Sequence, residues 1–265
     1  MIFICRLFFL LFCCNFVFCE CFGDLNGVTY DIPEGFVYLS DYDARIQQDI
    51  RYYTNHNFMG HPVIGYDYPE CILTIQAAEA LSNVQSYLLP LNMSLKVYDC
   101  YRPQQSVNSF FLWSQNTDYL MKREFYPTTS KDELFPDGYI ASKSGHSRGS
   151  TMDVTIVPYP TPKQPEYIRH QTLYPCIAPQ ADRFPDNSLN FGTGYDCFSK
   201  LAHSAAPKAI IGEVAYENRQ FFNSTMFDFG FINYENEWWH FTLINEPYPD
   251  IYFDFIIGCN STSSK

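Results

Sequence analysis

Apolar residues recur at three- and four-residue spacing in two parts of the chain, which predicts two amphipathic helices. The first covers residues 72–89 and ends at Pro90, because proline cannot continue a helix. The second covers residues 104–123. A third helix is predicted to begin near Pro207, since a proline ring suits the first helical turn, and to continue over residues 209–222.

Strand patterns occur between and after these helices. Residues 95–99 alternate between apolar and polar positions, and residues 151–157 are rich in β-branched side chains. Residues 228–234 and 238–244 are predicted to form an antiparallel pair joined by a short turn. Residues 159–198 contain many prolines and are predicted to form a long irregular excursion. Because helices and strands do not alternate as βαβ units, we expect an α+β fold with a central, mainly antiparallel sheet flanked by helices.

The first part of the chain resembles an export signal. Arg6 is followed by an apolar run from Leu7 to Cys14, which resumes after Asn15 and ends at Phe18. Such a run is short for a transmembrane helix and is typical of a secretory signal peptide. We therefore expect residues 1–20 to be a signal peptide and residues 21–265 to form one exported domain without a membrane span.

The cysteine count agrees with an oxidising compartment. Six cysteines lie beyond the predicted signal peptide, which allows 15 pairings, and none belongs to a CxxC motif. Their positions favour three disulfides. The expected pairs are Cys71–Cys100, Cys176–Cys197 and Cys21–Cys259. The second pair brackets the proline-rich excursion, and the third pair joins the two ends of the domain.

The charge of the chain narrows the range of partners. The formal net charge is −12 at pH 7, which disfavours nucleic acids and anionic membrane surfaces. A small zwitterionic substrate would be indifferent to this charge.

Two short stretches at a distance in sequence carry candidate metal ligands. His146 and Asp153 flank a small, Gly- and Ser-rich turn that leads into the strand over residues 151–157, so they can converge on one point. His240 ends a Glu-x-x-His segment that begins at Glu237. Two histidines and one carboxylate with an open fourth position are the usual ligand set of catalytic zinc.

The backbone around Glu237 has two possible arrangements. Residues three apart lie on opposite faces of a regular strand, so Glu237 and His240 cannot both face one site from an ideal strand. Either Glu237 lies in the turn before the strand or a bulge re-aims it. A helix would also bring the two together, but Trp238 and Trp239 favour a strand.

Arg102 is the candidate electrophilic residue. It precedes Pro103 at the end of a predicted strand, which favours an extended backbone and a guanidinium group held over a pocket. A simple surface arginine remains the alternative. The other histidines have no ligand-like spacing and are predicted to be structural; they are His56, His61, His170 and His203.

Several ordered motifs resemble a known enzyme family. The segments SKSGHSRGSTMDVT, YDCYRP, NEWWHF and EPYPDIYFDF are similar to those of VanX-type D-alanyl-D-alanine dipeptidases. The similarity extends from about Tyr38 to Phe255. These enzymes belong to a group of zinc peptidases that includes D,D-carboxypeptidases and Hedgehog-like domains, so the resemblance implies the Hedgehog/D,D-peptidase-like zinc peptidase fold.

The resemblance also implies roles for individual residues. It makes His146, Asp153 and His240 the ligands of one Zn²⁺ ion per chain. Glu237 would act as the general base and Arg102 would stabilise the transition state.

Substrate recognition follows from the same resemblance. Asp196 matches the acidic residue that meets the free amine of the substrate, and Ser144 matches a small polar residue near its carboxylate. Gly145 departs from the family, whose members often have a second serine at this position. The implied reaction is hydrolysis of D-Ala-D-Ala to two D-alanines.

Two alternatives remain open at this point. A D,D-carboxypeptidase acting on peptidoglycan stem peptides would share every residue of the metal site. A non-catalytic zinc-containing binding domain is the more distant alternative. The presence of both Glu237 and Arg102 argues against it, because a structural zinc needs neither residue.

Overall fold

A computed structural model describes residues 30–259, with a five-stranded sheet at its centre. The predicted signal peptide lies outside these residues. The strands are β1 (Phe36–Tyr38), β2 (Gln47–Gln48), β3 (Ile72–Thr74), β4 (Met93–Asp99), β5 (Thr151–Pro158), β6 (Phe231–Asn233) and β7 (His240–Leu243). The α-helices are α1 (Leu39–Tyr42), α2 (Ile75–Leu88), α3 (Gln104–Ser114), α4 (Lys122–Phe125), α5 (Lys131–Leu134), α6 (Lys208–Ile211) and α7 (Glu213–Asp228). Short 3₁₀ turns cover Arg51–Tyr53, Leu89–Leu91, Gly145–Arg148, Gln180–Asp182 and Lys200–Ala202.

The central sheet is mainly antiparallel, as predicted. Its strand order is β2-β4-β5-β7-β6, and only the short edge strand β2 pairs in parallel. Helix α2, whose buried residues include Leu81 and Val84, packs against β4, and α7 packs against β6. Strands β1 and β3 form a separate antiparallel pair. This arrangement of helices around one sheet confirms the α+β fold.

The pairing of three central strands aligns three polar residues. Asp99 on β4 lies opposite Asp153 on β5, and Asp153 lies opposite His240 on β7. The register of β4 shifts between Val97 and Asp99, and such a bulge re-aims the side chain that follows it. Side chains of directly paired residues lie close together on one face of a sheet. The register therefore places two carboxylates and an imidazole in one row.

The two long amphipathic helices are shorter than the sequence predicted. Residues 72–74 pair with β1 as strand β3, and the Thr74 side chain accepts a hydrogen bond (3.4 Å) from the backbone N–H of Ala77, which caps α2. The prediction of one helix over residues 104–123 is wrong, because α3 ends at Ser114. Beyond it, the Asn116 and Asp118 side chains accept hydrogen bonds from backbone N–H groups two residues further on, both at 2.9 Å. These local turns compete with helix continuation.

Two other predicted element boundaries differ from the observed ones, and both differences occur at a glycine. The helix predicted over residues 209–222 is divided at Gly212, whose φ is +86°, and its second part continues to Asp228. Strand β6 consequently begins only after Gly230, whose φ is +89°. The strands predicted over 95–99 and 151–157 match β4 and β5 within two residues.

The predicted disulfides inside the described part of the chain are present. Cys71 is bonded to Cys100, and Cys176 is bonded to Cys197. Cys21 lies outside the described residues, so the Cys21–Cys259 pair stays a prediction. The excursion over residues 159–198 is irregular apart from one 3₁₀ turn, as predicted. Between residues 30 and 259, no helix has the length and apolar character needed to cross a membrane.

Gly149 directly follows the 3₁₀ turn Gly145–Arg148 and packs closely against the rest of the fold. Its φ is +85°, and a Cβ added there would lie 2.2 Å from Cε1 of Phe36. Gly230 has nearly the same φ of +89°, but its added Cβ would meet only Cδ1 of Leu243, at an ordinary contact distance of 3.9 Å. We expect Gly230→Ala to cost about 1–2 kcal/mol from backbone strain. Gly149→Ala should cost a further ~1–3 kcal/mol from the clash.

Thermal unfolding followed by circular dichroism measures the difference between the two variants. At about 2–4 °C per kcal/mol, Gly149→Ala should melt several degrees below Gly230→Ala. Equal melting temperatures would show that Phe36 moves aside without cost.

Candidate active site and metal centre

Three predicted ligands meet at one point beside the central sheet. Nε2 of His146 lies 3.2 Å from Oδ1 of Asp153 and 3.3 Å from Nδ1 of His240. Nδ1 of His240 lies 3.1 Å from the same Asp153 oxygen. The structure therefore brings together all three side chains that the sequence proposed as a metal-ligand group.

The orientation of the His146 ring is set by its backbone surroundings. His146 lies in the 3₁₀ turn Gly145–Arg148, and the Ser144 side chain accepts a hydrogen bond (3.3 Å) from its N–H. Its Nδ1 lies 2.7 Å from the carbonyl oxygen of Cys100. Because a carbonyl can only accept, Nδ1 carries the proton and Nε2 presents a lone pair to Asp153 and His240.

The arrangement of these atoms fits a bound metal ion. Oδ1 of Asp153 is buried and has no hydrogen-bond partner among residues 30–259. Ligand atoms held about 2.0–2.1 Å from a tetrahedral zinc ion lie roughly 3.3 Å from one another. The observed separations of 3.1–3.3 Å match that spacing. Two nitrogens and one carboxylate oxygen also leave one position of a tetrahedral ion open.

The carboxylates around His240 favour a positive charge at the metal-ligand group. Burial alone would lower the pKa of His240, but the carboxylates of Asp153 and Glu237 raise it to about 9. Metal binding must therefore displace a proton from this group.

Glu237 lies in the turn before β7, which is the first of the two arrangements considered for it. Its backbone N–H donates to the carbonyl of Tyr234 (3.1 Å), and its carbonyl accepts from Nδ2 of Asn233 (2.9 Å). Oε2 lies 3.4 Å from Nδ1 of His240. The turn thus fixes a carboxylate at the edge of the metal-ligand group, where a general base would be needed.

Arg102 is a largely buried residue of the site rather than a surface arginine, with 11% of its side chain exposed. Its guanidinium lies over the rings of Tyr52 and Phe110, 5.0 and 5.1 Å from their centroids. Its Nε donates to Oδ2 of Asp99 at 2.8 Å, and its Nη2 lies 2.7 Å from the same oxygen and 3.6 Å from Oδ2 of Asp153. Burial opposes the charge, but Asp99 dominates among the surroundings that keep the pKa of Arg102 well above its ordinary value.

The sequence did not indicate Asp99, which contacts both Arg102 and the candidate metal ligand His146. It is fully buried, accepts a hydrogen bond (2.6 Å) from the Tyr66 hydroxyl and also holds Arg102. Its Oδ2 lies 3.4 Å from Nδ1 of His146. One feature of the sequence could have indicated it: Asp99 is a carboxylate at the end of the predicted strand 95–99, three residues before Arg102.

Asp196 is a buried carboxylate without a cation beside it among the described contacts. Its Oδ2 accepts a hydrogen bond (2.8 Å) from the Tyr52 hydroxyl, and its backbone is left-handed with φ of +56°. Burial and the nearby charge of Asp153 raise the pKa of Asp196 well above its usual value. A positively charged group would relieve this destabilisation of the ionised form.

Tyr195 and Tyr52 are two further residues that the sequence did not indicate. The Tyr195 hydroxyl donates to Oδ2 of Asp153 at 3.0 Å. Burial raises the pKa of both phenols well above the usual value, so each hydroxyl keeps its proton and donates. Tyr195 directly precedes Asp196, and that adjacency was the only sequence signal for it.

One cavity of about 480 Å³ joins these groups. It is bordered by all seven residues that the sequence singled out, together with aromatic side chains such as Tyr139 and Phe198. The seven are Arg102, Ser144, His146, Asp153, Asp196, Glu237 and His240.

Histidines elsewhere make other contacts. His56 lies between Nη1 of Arg51 (2.9 Å) and Oε1 of Glu124 (2.7 Å). His203 contacts the hydroxyl of Tyr139 through Nε2 at 3.0 Å. Neither belongs to the metal-ligand group found in the described part of the chain.

The sequence of the chain is similar to those of known peptidases. The model of the peptidase M15 family, described as D-Ala-D-Ala dipeptidase, matches residues 33–159 and 172–258. A D-alanyl-D-alanine dipeptidase of Enterococcus faecalis is 34% identical over 86% of this chain and 100% of its own length. One from Streptomyces coelicolor is 35% identical over 84% of this chain and 98% of its own length.

A solved structure of a VanY D,D-pentapeptidase mutant in complex with Zn(II) is less similar. It has 11% identity and a TM-score of 0.35, over 68% of this chain and 77% of that chain.

The family match, with the converging His146, Asp153 and His240, supports the zinc cofactor that the sequence predicts. The extent of the family match and the identity to the two dipeptidases confirm the resemblance seen in the sequence. The chain belongs to the peptidase M15 family of D-Ala-D-Ala dipeptidases.

Proposed function

We propose that this protein is a zinc-dependent dipeptidase that hydrolyses D-Ala-D-Ala to two D-alanines. One observation carries the proposal: a single cavity holds a metal-ligand group, a carboxylate beside it, and a second buried carboxylate, Asp196, that lacks a cation. The membership of the chain in a dipeptidase family supports it. A dipeptide carries its free amine only one residue from the scissile bond, and Asp196 offers the anion that such an amine needs.

Zinc bound by His146, Asp153 and His240 would supply a Lewis acid with one open position, which activates water and polarises a carbonyl. The protein supplies the remaining chemistry. Glu237 accepts a proton from the attacking water as the water oxygen adds to the scissile carbonyl carbon. The C–N bond then breaks, and Glu237 passes the proton to the leaving amine, so one water is consumed for each dipeptide.

Arg102 stabilises the negative charge that develops on the carbonyl oxygen. Its guanidinium is fixed by Asp99 and by two aromatic rings, so it does not reorganise as the charge appears. The cation is also largely withdrawn from water, which strengthens its effect on a nearby oxyanion.

Asp196 and Ser144 bind the two ends of the substrate in this proposal. Asp196 pairs with the free amine, and the amine supplies the cation that the buried carboxylate lacks. Ser144 uses its oxygen to cap the turn of His146, which leaves its hydroxyl proton available for the substrate carboxylate.

We further propose that the protein is exported and acts on dipeptide derived from peptidoglycan. Two disulfides among the described residues support an oxidising compartment. The apolar run over residues 7–18 supports a signal peptide.

The first prediction concerns the metal. Purified protein should contain about one zinc ion per chain, and His146→Ala should lose it because two ligands cannot complete the site. Elemental analysis after dialysis measures the content. His203→Ala is the matched control, since His203 bonds to Tyr139 and should leave zinc in place. Full zinc occupancy in His146→Ala would refute the ligand assignment.

The second prediction separates metal binding from proton transfer. Glu237→Gln keeps the shape of the side chain but removes the base, so kcat should fall by about 10²–10⁴-fold or more. Zinc content should stay at the level of the unmodified protein. Retained turnover of D-Ala-D-Ala in this variant would place the base elsewhere.

The third prediction concerns the free amine and distinguishes a dipeptidase from a D,D-carboxypeptidase. An acetylated substrate cannot form the ion pair with Asp196 that the free amine forms, and the loss of a buried pair costs about 3–5 kcal/mol. N-acetyl-D-Ala-D-Ala should therefore show a kcat/KM about 10²–10⁴-fold below that of the free dipeptide. Steady-state kinetics on both substrates measure this ratio.

Asp196→Asn should reduce kcat/KM for the free dipeptide far more than for the acetylated one. Asp182→Asn is the control, because Asp182 is an exposed carboxylate in the same excursion. Comparable turnover of free and acetylated dipeptide by the unmodified protein would favour the carboxypeptidase alternative.

A further inference from the structure

The two carboxylate oxygens of Asp153 have different surroundings. Oδ1 faces His146 and His240 at 3.2 and 3.1 Å. Oδ2 points away from that group and accepts a hydrogen bond from the Tyr195 hydroxyl at 3.0 Å. The carboxylate is therefore divided between a metal-facing oxygen and an oxygen held by the protein.

Arg102 is a weaker candidate for holding Oδ2. Its Nη2 lies 3.6 Å from this oxygen, beyond hydrogen-bond distance. The same guanidinium is committed to Asp99 through two contacts of 2.8 and 2.7 Å. Tyr195 thus makes the direct hydrogen bond to Oδ2.

Packing and covalent structure fix the Tyr195 hydroxyl in place. The Tyr195 ring is buried, stacks on Tyr98 with centroids 4.3 Å apart and an angle of 14°, and meets the edge of Trp239. On the chain, the neighbouring Gly194 N–H donates to the carbonyl of Cys176 (2.8 Å), and Cys197 is bonded to Cys176. Little freedom remains for the hydroxyl to leave Asp153.

We propose that Tyr195 is a positioning residue for the metal centre, which holds the Asp153 carboxylate so that Oδ1 alone faces the ion. This inference rests on the zinc ion of the proposed function. A carboxylate that lacks this hydrogen bond can rotate and change how it meets the metal. A group that hydrogen-bonds to a metal-ligating side chain typically contributes about 10–100-fold to metal affinity.

The experiment compares Tyr195→Phe with Tyr98→Phe. Each variant removes one buried phenol hydroxyl from the same pair of stacked rings. The Tyr98 hydroxyl bonds to Oδ2 of Asp186 (2.5 Å), whereas the Tyr195 hydroxyl bonds to Asp153. A general loss of packing would affect both variants, but a loss of ligand orientation would affect only one.

Zinc dissociation constants are measured by competition with a chromophoric chelator, on protein that was first freed of metal and in the absence of substrate. Tyr195→Phe should raise the Kd for zinc by about 10–100-fold, while Tyr98→Phe should leave it close to the original value. The visible absorption spectrum of Co²⁺-loaded protein should change in Tyr195→Phe alone, because it reports the coordination of the ion.

Two results would overturn the inference. One is an unchanged zinc Kd in Tyr195→Phe; the other is an equal increase in both variants, which would assign the effect to packing. Because no substrate is present, the test does not depend on catalysis. A protein that shows the expected pattern of affinities but does not cleave D-Ala-D-Ala would contradict the proposed function and leave the role of Tyr195 intact.

Discussion

Two buried carboxylates, Asp99 and Asp153, lie directly opposite each other on neighbouring strands of the central sheet. Like charges this close repel, and burial removes the water that would screen them. The rest of the site consists of the groups that make this arrangement stable. Arg102 neutralises Asp99, Tyr66 donates to it, and the imidazoles of His146 and His240 lie 3.2 and 3.1 Å from Oδ1 of Asp153.

These partners come from separate parts of the chain, so the site forms only when the whole fold forms. Strand pairing brings His240 beside Asp153, and the turn after Ser144 brings His146 over the carbonyl of Cys100. The excursion over residues 159–198 adds Tyr195 and Asp196 from a segment with almost no regular structure. Its attachment through Cys176–Cys197 replaces the rigidity that a helix or strand would otherwise provide.

The sequence predicted the parts of this protein that depend on local pattern or on spaced motifs. The antiparallel sheet, the convergence of His146, Asp153 and His240, and two disulfides could all be found in this way. The predicted helix over residues 104–123 was too long because the apolar spacing continues beyond Ser114, where α3 ends. The side chains of Asn116 and Asp118 form local turns there, and these turns outweigh the apolar spacing.

Residues that act through tertiary contacts could not be predicted. Asp99 matters because a bulge aims it at Arg102 and His146, and Tyr195 matters because the excursion folds back onto β5. Neither a bulge nor the path of an irregular segment leaves a periodic signal in one sequence. The position of Glu237 was narrowed to two geometries, and only the backbone of the turn decided between them.

The left-handed backbone of Asp196 has a consequence for how such an enzyme can change during evolution. Glycine, asparagine and aspartate are the residues that adopt this conformation most readily, and only aspartate among them is negatively charged. Asparagine is reached from aspartate by one nucleotide change and would keep the backbone while removing the charge. In the proposed function, selectivity for an unblocked amine can therefore be lost at this position in a single step without loss of the fold, and the reverse change restores it.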